Sequence, residues 1–405
     1  MQKTALLRVE PAQVEPAKVA PRQDASANVQ ARRRGRRIVL LQTQAEAAGA
    51  QEISRILGQG LAARGYEVHS AFFFRRTAAF DGQPNTFFAA AERPAGIRSL
   101  VRLMTRLVRH LHALRPDAVL CFQHYGVMIG TPVARLAGVR AVIANRTSAN
   151  AVTPRLARWL DFVFGWSGLF ARNVVNCHTI EQEYRAYPAR YRARLARIDH
   201  GFEPKTSMLS RATCRLSLGL PPDAVLLGCV ARLHPGKNLA AAIRLLPERN
   251  WHLAFAGQGP AREELVALAT ALGVLDRVHF VGELPADRIG AFLKSLDLFV
   301  FPSLAETFGL APVEAAQAGV PVVANDLPVL RETLSVAGKP CALFVDVDDT
   351  EAFATSVRTA SEDKALRNVL AARGADLSRT YSLDAMVQRY ADLIEAAMSE
   401  PRGAQ

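Results

Sequence analysis

The sequence predicts an α/β protein made of two doubly wound parallel-sheet domains. Three observations carry that expectation. Short apolar runs of strand length alternate with longer stretches of helical periodicity. The short runs are almost continuously apolar, as strands covered on both faces must be. The chain has 405 residues, more than one ordinary domain holds.

Residues 1–36 carry scattered prolines and a basic cluster (Arg32, Arg33, Arg34, Arg36, Arg37) without apolar periodicity, and read as a disordered basic tail. The pattern changes at Ile38. IVLLQ (38–42) is a strand, followed by a Gly-containing loop and a helix to about Arg64. Gly65 stands where a helix C-cap falls, and YEVHSAFFF (66–74) is the next strand. Residues 97–115 form an amphipathic helix. Ile97, Leu100, Val101, Met104, Leu107, Val108 and Leu111 share one face, and Arg98, Arg102, Arg106 and Arg109 share another. DAVLCF (117–122) and AVIAN (141–145) are further strands.

A second series begins near Pro221. VLLGCV (225–230), HLAFAG (252–257), VHFVG (278–282), LFVFP (298–302), PVVAN (321–325) and ALFVD (342–346) read as successive strands. The last periodic segment (Met386, Val387, Tyr390, Leu393, Ile394, Ala397) is a helix that packs back on the body. The expected plan is a tail (1–36), a first domain (37–203), a linker (204–219), a second domain (220–382) and the returning helix (383–405).

Composition excludes several classes. Hydrophobic residues make up 50% and charged residues 21%, which supports two buried cores rather than a disordered chain. No stretch reaches the ~18 apolar residues of a membrane span, and no secretory leader is visible. Five widely spaced cysteines argue against a disulfide framework and a structural zinc site, and fit a reducing cytoplasm. The net charge is +13, of which residues 1–37 hold +6. Such a balance suits nucleic acid, anionic lipid or anionic small molecules. No aromatic-basic interleaving or nucleic-acid motif accompanies it, so nucleic acid is not expected as a partner. The arginine face of helix 97–115 is either a solvated surface or a contact for anionic membrane.

Ligands of open parallel sheets bind outside the carboxyl ends of the strands. Three loops there carry unusual polar content. In ARLHPGKN (231–238), Arg232 and Lys237 flank a turn and can aim two cations at one anion; alone they would read as surface charges. In GQGP (257–260), Gly257 permits either close backbone approach to a ligand or a plain turn. The third, PSLAETFGLAPVEAAQAGVPVVAND (302–326), places Glu306 in a strand-to-helix loop and Phe308, Gly309 and Leu310 at a helix start. Free N–H groups and the helix dipole there attract an anion. Glu306 can accept hydrogen bonds from sugar hydroxyls. Glu314, amid Ala, Val and Pro, can accept them from a ribose diol.

ETFGLAPVE (306–314) resembles the E-x7-E signature of retaining glycosyltransferases of family four, which have the GT-B fold of two facing Rossmann-like domains. The similarity extends to ARLHPGKN, GQGP, VHFVG, FPSLAETFG and AGVPVVAND. DHGFE (199–203) resembles the family's N-G-V-D element, with His200 in place of Asn. AEAAGAQEISRIL (45–57) resembles its E-x-GGA segment, with Ala48 in place of a glycine. The resemblance covers roughly residues 38–400.

The resemblance implies a metal-independent hexosyl transfer from a nucleoside-diphosphate sugar to an acceptor hydroxyl. The acceptor is a glycan or a lipid-linked molecule of envelope polysaccharide, lipopolysaccharide or glycolipid synthesis. No cofactor is expected beyond the donor. The implied place is the cytoplasm or the inner face of the plasma membrane. Arg232 and Lys237 neutralise the diphosphate, Glu306 holds the donor sugar, and Phe308, Gly309 and Leu310 form the backbone cradle. Gly257 lies beside the donor, Glu314 binds the ribose, and His124 faces the donor sugar from the first domain. For His124 a buried structural histidine is the plain alternative. Two other readings of the chain are a nucleotide-sugar epimerase of similar architecture and a basic nucleotide- or nucleic-acid-binding module without catalysis.

Overall fold

The computed structural model describes residues 33, 35–46, 49–78, 80–146 and 153–400. The rest of the 1–36 stretch and Ala48 lie outside the described residues. The first domain holds a parallel sheet of seven strands: β1 (Arg37–Ala45), β2 (Glu67–Arg75), β3 (Thr86–Ala90), β4 (Ala118–Phe122), β5 (Ala141–Asn145), β6 (Arg172–Val175) and β7 (Leu195–Arg197). Their order is β3-β2-β1-β4-β5-β6-β7. The second domain holds β8 (Val225–Val230), β9 (Trp251–Ala256), β10 (Val278–Gly282), β11 (Leu298–Phe301) and β12 (Val322–Asn325). A two-stranded ribbon, β13 (Ser335–Val336) and β14 (Lys339–Pro340), precedes β15 (Leu343–Val345). The second sheet runs β10-β9-β8-β11-β12-β15 and is also parallel.

Strand order reverses between β1 and β4 in one sheet and between β8 and β11 in the other. At such a point adjacent loops diverge and leave a crevice. Val39, Leu40, Leu120, Val142 and Ile143 are fully buried, as are Leu226, Leu253, Val300 and Val323. Right-handed crossovers place the helices Ile97–Leu114, Gln123–Leu136 and Arg155–Ser167 together on one face of the first sheet. The helix Gly49–Ala63 covers the opposite face. It ends before Gly65, whose φ of 95° is the left-handed turn expected of that glycine.

The strands β3, β6 and β7 escaped the sequence reading. They have five, four and three residues, and β7 includes two arginine-flanked positions rather than an apolar run. The helix Ile97–Leu114 buries Leu103, Leu107 and Leu111, while Ile97 and Val101, expected on its apolar face, stand in solvent. The expected linker is not bare chain. Its segment Arg211–Ser217 is a helix capped by Ser210 Oγ, which accepts from Thr213 N. The buried Arg215 guanidinium ties it to the second domain through the Ser295 and Ala224 carbonyls (2.9 Å each) and Asp297 (2.8 Å).

The returning helix is Leu383–Ser399, and it crosses to the first domain. Tyr390, fully buried there, receives a hydrogen bond from Asn145 Nδ2 at 2.6 Å. Gly60 admits it closely, since a Cβ there would stand 2.5 Å from Val387 Cγ2. Its acids also take up part of the basic cluster expected to be solvated. Arg33 pairs with Asp392 at 3.4 Å and Arg36 with Glu395 at 2.5 Å.

The hinge passes His200, which is buried between Asn176 (3.0 Å) and the Phe308 ring (centroids 5.0 Å apart). Burial pushes its imidazole down from 6.5 to about 4. The unfolded chain therefore takes up this proton first. The stability lent by neutral His200 is complete above pH 6.5 and is lost as the pH falls toward 4. The variant His200→Asn should show a smaller fall in Tm between pH 7 and pH 4.5 than the parent. Parallel Tm curves for the two proteins would contradict this role.

Candidate functional site

The second-domain crevice is built by loops that lock onto one another. Leu233 N donates to Gln258 O at 3.0 Å, joining the loop after β8 to the loop after β9. Leu304 N donates to Gly236 O at 3.1 Å, joining it to the loop after β11. Gly257 (φ 146°) allows the first contact, because a Cβ there would fall 2.0 Å from Ala231 O. Asn238, in a left-handed conformation at φ 49°, ends the single 3₁₀ turn Pro235–Lys237. That turn aims Lys237 back at the crevice.

Lys237 Nζ lies 2.5 Å from Glu306 Oε1 and 5.6 Å from the centre of the Phe301 ring beneath it. Glu306 is largely enclosed, so the pair is screened less than a surface pair. The helix Leu310–Gln317 starts beside it, with Gly309 as N-cap at φ 80°. The left-handed φ strains any other residue at Gly309, and a Cβ there would also press on Leu330 Cδ2 at 2.5 Å. Phe308 is buried, with its ring against His200, Phe202 and Tyr381, and its carbonyl accepts from Thr333 Oγ1 at 2.8 Å. Only the Phe308 backbone is left to face a ligand. Pro312 falls in the first turn, where no intrahelical N–H bond is lost.

The other residues singled out by sequence are spread across the gap between domains. Arg232 points at the first domain, where Glu46 lies 3.7 Å away. Glu46 also pairs with Arg76 at 3.3 Å and accepts from Gln44 Nε2 at 2.5 Å. His124 opens the helix after β4, beside the crevice of the first sheet, with its ring against Tyr125. Burial, and secondarily the charge of Arg146, lower its pKa, so the ring is neutral at pH 7. No hydrogen bond joins it to Lys237 or Glu306 among the described residues.

Glu314 faces a cavity of about 210 Å³ bounded by Glu52, Lys205 and Leu310. Lys205 Nζ is 3.6 Å from Glu52 Oε1, and Glu52 is also paired with Arg55 at 2.7 Å. Glu46 is the acid of the E-x-GGA-like segment, whereas sequence reasoning gave no role to Glu52 or Lys205. Domain packing alone brings Glu52 and Lys205 together, and nothing in local spacing marks that pair.

Each sheet therefore turns its switch-point crevice toward the other domain, and the charged side chains meet between them. This architecture is the GT-B fold, and it matches solved structures across nearly its whole length. HepE from Anabaena, solved in complex with UDP and glucose, superposes with a TM-score of 0.77 over 89% of this chain and all of that one, at 18% identity. Residues 211–376, within the second domain, match the family model of glycosyl transferases group 1. Lipopolysaccharide core biosynthesis mannosyltransferase LpsB of Rhizobium meliloti (strain 1021) is 30% identical over 212 residues, 49% of this chain and 60% of that protein. D-inositol 3-phosphate glycosyltransferase of Thermomonospora curvata is 29% identical over 289 residues, 66% of this chain and 67% of that protein. The chain thus matches about two thirds or less of the length of these two relatives. No helix among the described residues is long and apolar enough to cross a membrane.

Burial raises the Glu314 carboxyl from 4.5 to about 7; Lys205 opposes the shift and Glu52 adds to it. The folded protein holds this proton more tightly than the unfolded chain. Its contribution to stability is complete below pH 4.5 and drains away as pH climbs through 7. Glu314→Gln should therefore flatten the fall in Tm between pH 5 and pH 8.5. The expected gain over the parent at the alkaline end is roughly 1 °C for each kcal/mol recovered, at ~2.1 cal/mol/K of unfolding entropy per residue in a chain of 405 residues. An unchanged difference at both ends would place the carboxyl in water.

Proposed function

We propose that the protein transfers a hexosyl group from a nucleoside-diphosphate sugar to an acceptor hydroxyl, with retention of anomeric configuration. The observation that carries the reading is the Lys237–Glu306 pair beside the Gly309-capped helix N-terminus. A cation, a carboxylate and free N–H groups adjoin one another there, as a ligand with a diphosphate and a hydroxylated ring requires. The group 1 match of the second domain and the named activities of LpsB and its fellow relative support it.

In this reaction the donor enters between the paired side chains. Lys237 turns to the diphosphate and Glu306 to the sugar hydroxyls. Arg232 exchanges Glu46 for a phosphate oxygen. Breaking the sugar–oxygen bond builds negative charge on the departing diphosphate. Lys237, Arg232 and the N–H groups of Phe308, Gly309 and Leu310 stabilise that charge as it develops. Gly257 keeps the neighbouring loop close enough to wall the site. Glu314 receives the ribose diol, and His124 approaches the sugar from the opposite domain as a neutral hydrogen-bonding group. The scheme assigns the neutralising charge to side chains and to no metal. Glu306 and Glu314 belong to opposite ends of the donor, so they do not act as the paired carboxylates of a glycosidase.

The acceptor is a glycan or lipid-linked molecule of cell-envelope synthesis, met at the cytoplasmic side. The mannosyltransferase name of LpsB supports lipopolysaccharide core as one such context. A panel of nucleotide sugars screened by thermal shift, followed by mass analysis of products, identifies the donor. Lys237→Ala and Glu306→Ala should each lower turnover on the order of 100-fold or more without lowering Tm by more than a few degrees. Near-parental turnover in both variants would overturn the site assignment.

A further inference from the structure

We propose that the outer helical layer of the first domain docks on an anionic phospholipid bilayer, with Leu156, Trp159 and Trp166 entering the headgroup region. This does not depend on the reaction proposed above.

The helix Arg155–Ser167 exposes a stripe that a water-facing helix ordinarily lacks. Leu156, Trp159, Val163 and Trp166 recur at three- and four-residue spacing, and so share a face. Leu156 is 62% exposed, Trp159 59% and Trp166 50%. The rotation of this helix is fixed from its other side. Gly165 lies against Tyr191, where a Cβ would stand 2.1 Å from the ring. Asp161, also on that side, is buried in an ion pair with Arg146 at 3.0 Å and accepts from Tyr191 OH at 2.7 Å. The helix cannot turn its tryptophans inward without breaking these contacts.

Charge selects the partner. Residues 93–170 contain eleven arginines, no lysine and two aspartates, a net of +9. Neither aspartate faces outward freely: Asp161 is buried, and Asp117 accepts from Arg37 N at 2.7 Å. Arg155 and Arg158 flank the stripe and, with Trp159 and Tyr187, line an open groove of about 540 Å³. The Arg190 guanidinium lies 5.7 Å from the centre of the Trp166 ring. In the same layer, helix Ile97–Leu114 exposes Ile97, Val101, Arg98 and Arg102. Indole rings with an arginine rim suit the boundary between acyl chains and anionic headgroups. Exposed aliphatic side chains among them favour lipid over nucleic acid.

Direction supports the same occupant. Helices that return between parallel strands run opposite to them, so their N-termini lie at the strands' carboxyl ends. Ile97, Arg98, Leu156 and Trp159 therefore lie in the first turns of their helices, on the crevice side of the layer, while Trp166 lies in the last turn of its helix. Docking along this stripe lays the helix on the bilayer with the crevice end of the first domain beside it.

Only three tryptophans occur in the chain, and Trp251 is buried in the second domain, so intrinsic fluorescence reads this surface directly. The full chain is titrated with vesicles of equal parts phosphatidylglycerol and phosphatidylcholine, and with vesicles of phosphatidylcholine alone. The expected result is a blue shift and co-sedimentation with the anionic vesicles only, weakening as salt is added. Replacing Trp159 and Trp166 by Ser together should weaken binding about tenfold or more, a loss of about 1.4 kcal/mol. The double variant R98E/R102E should weaken binding at low salt. Both should keep the parental Tm. No sedimentation, equal binding to the neutral vesicles, or unchanged binding by the tryptophan variant would overturn the proposal. So would self-association blocked by the tryptophan variant without lipid binding, or displacement from vesicles by a single-stranded oligonucleotide.

Discussion

Two absent side chains set the dimensions of the second-domain crevice. A Cβ at Gly257 would overlap Ala231 O, and one at Gly259 would stand 2.3 Å from Leu233 O. Without them the loop after β9 could not lie against the loop after β8, and the turn carrying Lys237 would lose its wall. The Lys237–Glu306 contact and the seat of the Gly309 cap both rest on that closeness. The electrostatics of the site is thus a consequence of backbone packing. Charges brought this near in a partly enclosed place interact far more strongly than on an open surface.

Much of the second domain was legible in the amino-acid sequence, because its strands are uninterrupted apolar runs and its turns are marked by glycine and proline. Gly309 caps the helix start expected at Phe308–Leu310, Pro312 falls in its first turn, and Gly319 follows its end at φ 77°. The first domain was harder to read. Its β6 and β7 are too short for periodicity to register; in the stretch expected as linker, the helix Arg211–Ser217 is held to the second domain by a buried arginine rather than by an apolar stripe. Lys237 and Glu306 were each singled out in the sequence, but as separate groups for the diphosphate and the sugar; their ion pair appears only because the loops after the neighbouring strands β8 and β11 meet. The contact of Glu46 with Arg232 and the pair of Glu52 with Lys205 were not legible, since they arise through domain packing.

Contacts between the domains are specific. Glu332, on the second-domain helix Pro328–Thr333, accepts from His178 N, Thr179 N and Thr179 Oγ1 at 2.6, 2.7 and 2.5 Å. It thereby satisfies the free donors at the start of the first-domain helix His178–Gln182. Cys177 Sγ reaches Thr307 O at 3.3 Å, next to the helix cap of the site. Glu46 and Arg232 add a charged contact on the cleft side. A relative movement of the domains must break several of these together, which favours discrete arrangements over gradual opening.

The crossing of the helix Leu383–Ser399 ties the two halves together covalently as well as by packing. The segment that follows the second domain completes the apolar cover of the first, with Tyr390, Ile394 and Ala397 all buried. Severing the polypeptide once, at the hinge near residue 203, would leave the leading fragment with an uncovered greasy trough and the trailing one with a dangling amphipathic rod. The two fragments would have to find each other again to become soluble.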